Sequence, residues 1–312
     1  MLSQLKLKKK FITIINKKLK SKVIVKKVAT IDIGSNAIRL LISNIFNVKG
    51  IKYHTKNSLY RVQLRLGDDS FKKGKISLKN LKKLTSTLNS FKLIMEINEI
   101  KDYLAYATSA MRNIINSEEI IKSLEIETGI KVEIISGKRE SEIVSNNDIS
   151  SHIGKTKNYC FIDVGGGSTE VVIYKKSKFY KSKSFKIGGV RLINDLVNNS
   201  TWEYFGNWLK KNAVELKKLK IIGIGGNINK IYKISGTKYT KPLTRKSFKK
   251  TLEKLEKMSL EKKLIKLKLN PDRIDVIVPA GKIYYFLMKT LDIQEIYVPR
   301  IGLADGMVNE II

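Results

Sequence analysis

The chain has 312 residues, of which 42% are hydrophobic, and its 61 Lys and Arg residues exceed its 28 Asp and Glu residues by 33. This hydrophobic share is close to the globular average and the length is sufficient to bury a core, which excludes a disordered polycation. The single cysteine, Cys160, excludes a disulfide framework and a cysteine-based zinc site, and no apolar run reaches the ~18 residues that a membrane span needs.

The positive charge comes mainly from lysine, with 52 Lys and nine Arg residues. Arg is the residue type that reads bases and phosphates bidentately, so a lysine excess is less typical of a nucleic-acid-binding surface. A compositional bias toward Lys, Ile and Asn explains the excess, and a polyanionic partner is an alternative that is compatible with it. We expect a cytoplasmic protein with no dedicated nucleic-acid or membrane partner.

Residues 1–27 form a separate zone with many lysines and no acidic residue. A secretory signal needs an uninterrupted apolar core, whereas the apolar run here (FITII) is short and is followed by KKLKSK. We interpret this zone as a basic extension. A loosely ordered arm and a segment that contacts anionic membrane or nucleic acid are both left open.

The first half, 28–137, alternates strands with helices, which indicates an α/β domain. An apolar strand ends at Gly34, and the turn Asp32–Asn36 connects it to a second strand. The predicted strands are 28–34, 37–46, 52–66, 102–108 and 131–136, and the predicted helices are 77–97 and 117–128, the latter with Ser117 as its N-cap.

The second half, 138–302, repeats this opening with an apolar strand, a turn at Asp163–Ser168 and a further strand. Two related domains of this kind leave a cleft between them. We leave open whether the closing helix at 303–312 joins the first domain. The predicted strands are 158–164, 169–174, 185–188, 220–223 and 293–298, and the predicted helices are 138–150, 190–196, 202–216, 246–267 and 273–289.

The two turns carry residue types that suit a phosphate. Glycines let several backbone N–H groups converge on one point, and nearby hydroxyls add donors. An Asp beside such a nest would repel phosphate unless a cation bridges them, and Mg²⁺ does so with one or two carboxylates. Two Asp-Gly turns that face each other therefore predict a metal–phosphate clamp, whereas a single such turn would indicate only a tight hairpin.

A third glycine loop, Gly223–Asn227, leads into a helix. It resembles a dinucleotide fingerprint only superficially, because the later glycine is missing and no preceding unit carries a suitably placed acid. A close packing turn between strand and helix is an equal interpretation.

Eight sequence blocks, in order, are VATIDIGSNAIRLLI, YATSAMRN, ISGKRESE, FIDVGGGSTEVVI, IGGVRL, GIGGN, DVIVPAG and IGLADGM. Together they resemble the exopolyphosphatase/guanosine pentaphosphate phosphohydrolase family over residues 28–312. The resemblance implies two ribonuclease-H-like domains of the actin-like ATPase superfamily, with an active-site cleft between them. It also implies Mg²⁺-dependent release of a terminal phosphate from inorganic polyphosphate or from guanosine pentaphosphate.

The resemblance implies roles for individual residues as well. The implied catalytic groups are Glu140, as the general base that activates water, with Asp163 and Glu170. The implied metal ligands are Asp32, Asp163 and Glu170. The implied phosphate-binding residues are Gly34, Ser35, Asn36, Arg112, Gly165, Gly166, Gly167 and Ser168.

This sequence departs from the family pattern at two positions near those residues. Arg139 occupies the position where the family usually has an acid, directly before the catalytic Glu. If the two side chains were close, Arg139 would lower the pKa of Glu140. The alternative is that Arg139 points to solvent. Ala37 replaces the usual Ser and removes one hydroxyl donor. The chain also resembles the short members, without a C-terminal helical domain, so chain-length preference and homodimer formation are left open.

Two other functions remain as alternatives. A kinase of the same superfamily would use paired Asp-Gly turns, although nothing in the sequence marks a sugar site. A non-catalytic or weakly active binder of polyphosphate or alarmone is suggested by the net charge and by Arg139.

Overall fold

The computed structural model describes residues 24–48, 50–147, 149, 157–238 and 240–312. The predicted basic extension lies outside the described residues except for 24–27, which begin the first strand. No helix in these ranges is long and apolar enough to cross a bilayer.

The first sheet has five strands in the order β3-β2-β1-β4-β5. β1 pairs antiparallel with β2, and β2 does so with β3, whereas β4 and β5 continue parallel to β1. The β-branched residues of β1 and β2 favour this extended hairpin. The bounds are β1 Ile24–Ile33, β2 Ala37–Val48, β3 Ile51–Gln63, β4 Tyr103–Ala107 and β5 Glu133–Ile134.

The described residues of this half include four helices: α1 Leu66–Lys73, α2 Leu78–Ile97, α3 Ser109–Arg112 and α4 Ser117–Thr128. Leu84, Leu88 and Leu124 pack from α2 and α4 onto one face of the sheet. Ser77 caps α2, because its side chain accepts from Asn80 N. The predicted cap of α4 is wrong: Ser117 is its first helical residue, the N-cap is Asn116, and no side chain caps that end.

The second sheet has six strands in the order β10-β11-β9-β6-β7-β8. From β8 to β11 the directions repeat those of the first sheet, and β10 is an added antiparallel edge strand. The repeat seen in the sequence is thus also a repeat of strand order. The bounds are β6 Tyr159–Val164, β7 Thr169–Lys175, β8 Lys178–Phe185, β9 Lys220–Ile224, β10 Leu243–Thr244 and β11 Glu295–Tyr297.

Two predicted elements of this half are wrong. The strand expected at 185–188 is β8, which ends at Phe185; it is an exposed edge strand whose lysines obscure the apolar alternation. The helix expected at 246–267 is two helices, because Met258 is extended and the Ser259 side chain caps a new helix. Within the described ranges the helices of this half are α5 Gly137–Ser145, α6 Gly189–Ile193, α7 Asn199–Ala213, α8 Gly226–Ile234, α9 Arg245–Lys257, α10 Leu260–Ile265, α11 Ile277–Thr290 and α12 Leu303–Ile311.

Helices α5 and α12 lie between the two sheets, where Ile143 and Met307 share a core cluster with Phe161 and Ile222. α12 also binds the first sheet, since Thr30 Oγ1 donates to Ala304 O over 2.9 Å. The helices pack closely because Gly306 has no side chain, and a Cβ there would collide with the backbone of Ile143. The helix that carries Glu140 is therefore held against both sheets.

Candidate active site

The two predicted turns face each other across one cleft of about 910 Å³. A Cβ at Gly166 would lie 3.1 Å from Ser35 Cβ and 3.5 Å from Asn36 N, so the turns approach within van der Waals distance. The cleft is lined by every predicted site residue except Arg112: Asp32, Gly34, Ser35, Asn36, Glu140, Asp163, Gly165, Gly166, Gly167, Ser168 and Glu170.

The first turn follows the end of β1. Gly34 N donates to Ala37 O over 3.2 Å and closes the hairpin. The hairpin register places Arg39 opposite Asp32, and Arg39 Nη1 donates to Asp32 Oδ2 over 2.5 Å. Asp32 is buried, so this pair neutralises a carboxylate that the sequence analysis assigned to a metal.

Asn36 reaches across the cleft from the first turn. Its Nδ2 donates to both the backbone O and the Oδ2 of Asp272 over 3.2 Å. Asp272 is also paired with Arg61 and is only 2% exposed. The Oδ1 of Asn36 is buried without a hydrogen-bond partner. Asp272 could not be predicted from the sequence, because its two partners lie more than 200 residues away along the chain.

The second turn is closed by a hydrogen bond from Gly165 N to Ser168 O over 2.9 Å. A Cβ at Gly167 would collide with the Phe71 ring and lie 2.5 Å from Ser109 Oγ. The middle of this turn is therefore packed against the first half of the chain, and only glycine fits there.

Glu140 lies in the first turn of α5. Ser136 caps this helix by accepting from Arg139 N over 3.1 Å. Arg112 Nη1 donates to Glu140 Oε2 over 2.9 Å and to Ile135 O over 2.7 Å. The residue predicted to bind phosphate is thus bound to the residue predicted to activate water.

Arg139 pairs with Glu310 on α12, with Nη2 and Oε1 2.7 Å apart. The hydroxyl of Tyr106 donates to the other oxygen of Glu310 over 3.1 Å. The ion pair of Glu140 is therefore made with Arg112, and Arg139 is a half-exposed contact between two helices.

Three carboxyl groups share the buried part of the cleft. Burial and the Glu170 carboxylate raise the pKa of Glu140 well above its ordinary value, although Arg112 opposes the rise. Burial and Glu170 raise the pKa of Asp163 to about 7, with Arg39 opposing. Burial also raises the pKa of Glu170, against hydrogen bonds from Ser168 and Ser184. Three carboxyl groups thus lie together in the buried part of the cleft, where Arg112 and Arg39 oppose the rise in pKa but do not cancel it.

This grouping of carboxyl groups suits a divalent cation. Within the described ranges, no group of three or more His, Cys, Asp and Glu side chains is arranged to hold a metal. Mg²⁺ needs only one or two carboxylates when phosphate oxygens and waters complete its shell. Asp163 and Glu170 fit that requirement better than Asp32, which is paired with Arg39. The assignment of all three to a metal stays a prediction.

The third glycine loop also belongs to the cleft. Gly225 has a φ of 108°, a conformation that favours glycine, and a Cβ there would lie 2.8 Å from Asp163 Oδ1. The Tyr284 hydroxyl donates to Ile224 O and accepts from Val164 N. The loop therefore packs against the second turn. Besides Arg39, six further basic residues that were not predicted as site residues line the cleft: Lys56, Arg61, Lys230, Lys233, Arg273 and Arg300.

Comparison with known sequences shows one family. The pattern of the Ppx/GppA phosphatase family matches residues 58–312. Over 217 residues the chain is 31% identical to a bifunctional 3-dehydroquinate synthase/phosphatase of Fusobacterium nucleatum, covering 64% of this chain and 32% of that protein. Over 145 residues it is 29% identical to exopolyphosphatase 1 of Mycobacterium tuberculosis, covering 46% and 41%. The chain thus spans less than half the length of these curated relatives.

Solved structures share the fold. The chain resembles the Aquifex aeolicus member of the Ppx/GppA family, with a TM-score of 0.71 and 24% identity, over 92% of this chain and 97% of that one. It resembles an exopolyphosphatase from Cytophaga hutchinsonii with a TM-score of 0.77 and 23% identity, over 91% and 97%. The predicted α/β fold with two ribonuclease-H-like units is confirmed.

Proposed function

Because the chain belongs to the Ppx/GppA phosphatase family, we propose that it hydrolyses terminal phosphoanhydride bonds of inorganic polyphosphate or of the 5′ phosphate chain of guanosine pentaphosphate. The observation that carries the proposal is that Glu140, which is paired with Arg112, lines the same cleft as both glycine turns. Phosphoryl transfer needs positioning and charge neutralisation more than covalent chemistry, and this cleft provides both.

In the proposed reaction Glu140 takes a proton from a water molecule whose oxygen forms a bond to the terminal phosphorus. The bond between that phosphorus and the bridging oxygen breaks, the bridging oxygen keeps the electron pair as the new terminal oxygen of the shortened chain, and inorganic phosphate is released separately. Burial raises the pKa of Glu140 toward neutral pH, and a general base works best when its pKa lies near the pH at which the enzyme operates.

The remaining groups neutralise the phosphoryl oxygens. Backbone N–H groups of Gly166, Gly167 and Ser168 suit the transferred phosphate, because the Gly165 N–H closes the turn, and Arg112, which is bound to Glu140, would contact the same phosphate. Asp163 and Glu170 would hold a divalent cation, which when bound supplies charge that bridges carboxylate and phosphate.

The net charge and Arg139 suggested a non-catalytic binder, and of these Arg139 has another explanation, because it is paired with Glu310. The test is phosphate release from polyphosphate of two lengths and from guanosine pentaphosphate, each with Mg²⁺ and with a chelator. We expect Mg²⁺-dependent release without an acceptor. Binding without release would contradict the proposal, and release only with an acceptor would indicate a kinase.

The variant Glu140→Gln tests the base. Loss of a general base reduces turnover by about 10² to 10⁴ fold. Glu142→Gln is the matched control, since Glu142 lies on the same helix and is a partly exposed partner of Lys138 at 4.0 Å. Full activity of Glu140→Gln would exclude Glu140 as the base and leave the hydrolase proposal standing.

A further inference from the structure

The Gly165–Gly167 turn is held from behind by the start of α6. Three successive carbonyls of the turn each accept a hydrogen bond from the segment Gly189–Arg191. A Cβ at Gly188, just before this segment, would collide with Gly166 O, so the approach depends on a glycine. The bonds are Gly189 N to Gly165 O at 3.0 Å, Val190 N to Gly166 O at 2.8 Å and Arg191 Nε to Gly167 O at 2.7 Å.

These bonds fix the direction of the N–H groups in the turn. In a planar trans peptide the carbonyl and the following N–H point in opposite directions. When the carbonyls of 165–167 point toward α6, the N–H groups of Gly166, Gly167 and Ser168 point away from it. These three residues line the cleft, so the geometry builds a nest of donors toward it.

The Gly167–Ser168 peptide differs from the two before it, because its carbonyl accepts from a side chain, that of Arg191, whereas the other two accept from backbone N–H groups. Arg191 uses Nε for Gly167 O and Nη2 for Asn113 Oδ1, over 3.1 Å, and its guanidinium lies 4.0 Å above the Phe71 ring. Asn113 follows Arg112 directly in the chain. One planar group thus connects the second turn to the residues beside Glu140.

Arg191 is buried, with 8% of its surface exposed. In the parts of the chain that the structure describes, no carboxylate forms an ion pair with it. A buried cation without a counter-charge is costly, and burial lowers the pKa of Arg191 accordingly. An anion in the nest would lie on the other side of the peptide that Arg191 holds, which supplies the missing negative charge nearby.

We propose that Arg191 is a positioning residue for the phosphate site, which orients the Gly167–Ser168 peptide and couples it to Asn113. The proposal rests on the hydrolase function above and extends it to a residue that does not line the cleft. Arg191 binds no substrate; it acts through the backbone of the turn. Lysine would keep the charge but lose the planar pair of donors, so it does not replace arginine here.

The first test is binding of inorganic phosphate by calorimetry to the wild type, Arg191→Ala, Arg191→Lys and Arg245→Ala. Arg245 is the matched control because it pairs with the exposed Asp292 on the surface. We expect the dissociation constant to rise about tenfold in Arg191→Ala, in line with loss of one oriented hydrogen bond to a charged group, and to stay unchanged in Arg245→Ala.

Steady-state kinetics on polyphosphate distinguish positioning from a purely structural role. We expect KM to rise with the dissociation constant of phosphate in Arg191→Ala, and added guanidinium ion to restore part of the loss. If Arg191→Ala does not fold, Arg191→Lys takes its place in both measurements, because it keeps a cation in the core. We expect the dissociation constant of phosphate and KM to rise in this variant too. A folded Arg191 variant with wild-type phosphate affinity overturns the proposal. Wild-type protein that neither binds phosphate nor releases it overturns the proposed function as well.

Discussion

Arg112 donates to Glu140 over 2.9 Å from a position just behind the cleft wall. The pair joins α3, which follows the first sheet, to α5, which packs on the second. A phosphate that enters the cleft would compete with Glu140 for this guanidinium, and the carboxylate would then be free to accept a proton from water. The pair is therefore suited both to keep Glu140 ionised and to hold substrate beside it.

The variant Arg112→Ala tests the electrostatic half of this relationship. Arg112 lowers the pKa of Glu140 against burial and Glu170, which raise it. Without Arg112 that pKa rises further, and a higher pH is needed to ionise Glu140. If Glu140 is the proposed base, the acid limb of the pH profile of kcat/KM moves to higher pH. The profile is measured on polyphosphate at constant ionic strength.

Arg139→Ala is the matched control for that profile. Arg139 is the immediate neighbour of Glu140 but pairs with Glu310. Its removal should leave the acid limb in place. An acid limb that moves in Arg139→Ala and not in Arg112→Ala would contradict the assignment of Arg112 as the cation of Glu140.

Much of the site could be predicted because its signals are local. The turn at Asp32 and the turn at Asp163 each follow an apolar strand, and glycines mark both turns in the sequence. Their equivalent places in two halves predicted that they would face each other, and the cleft contains both.

The partners of these residues could not be predicted in the same way. Asp272 meets Asn36 and Arg61 only because the two halves fold against each other, and no local pattern marks such a contact. Arg39 is an intermediate case: once the hairpin is predicted, its register places Arg39 opposite Asp32. The predicted position of the lysine-rich edge strand β8 is wrong because its side chains contribute little to the core, so the sequence lacks the apolar alternation that marks a strand.

The variant Asp272→Ala should destabilise the protein strongly. Asp272 is 2% exposed and accepts from Arg61 and Asn36, so its removal leaves two partly buried donors without this partner. Breaking a buried pair of this kind costs about 3 to 5 kcal/mol. Urea unfolding measures the change in the free energy of unfolding.

Asp292→Ala is the control for Asp272→Ala, because Asp292 also pairs with an arginine but is 83% exposed. An exposed pair contributes about 0 to 1 kcal/mol. Equal changes in the free energy of unfolding in the two variants would show that the Asp272 contacts across the cleft stabilise the protein no more than an exposed ion pair does.

Alanine substitutions in the second turn should destabilise the protein to different extents, because the space available for a Cβ differs between its glycines. A Cβ at Gly167 would collide with Phe71, whereas a Cβ at Gly165 would meet only Ser168 O at 3.3 Å. Gly167→Ala therefore forces the turn away from the first half of the chain, and we expect a lower melting temperature than for Gly165→Ala. Differential scanning calorimetry compares the two, and equal melting temperatures would contradict the close contact between turn and Phe71.

The net charge of the chain leads to a prediction about salt. Lysine and arginine residues continue along the cleft beyond the turns, among them Lys56, Lys230 and Arg300. Screening weakens attraction between these cations and a substrate in proportion to the number of charges that interact. A long polyphosphate interacts with more of them than a nucleotide does, so its kcat/KM should fall more steeply between about 0.05 and 0.3 M salt. Parallel assays on polyphosphate and guanosine pentaphosphate measure the two slopes. Equal slopes would assign the excess of 33 positive charges to composition alone, because the cleft would then give a long chain no advantage.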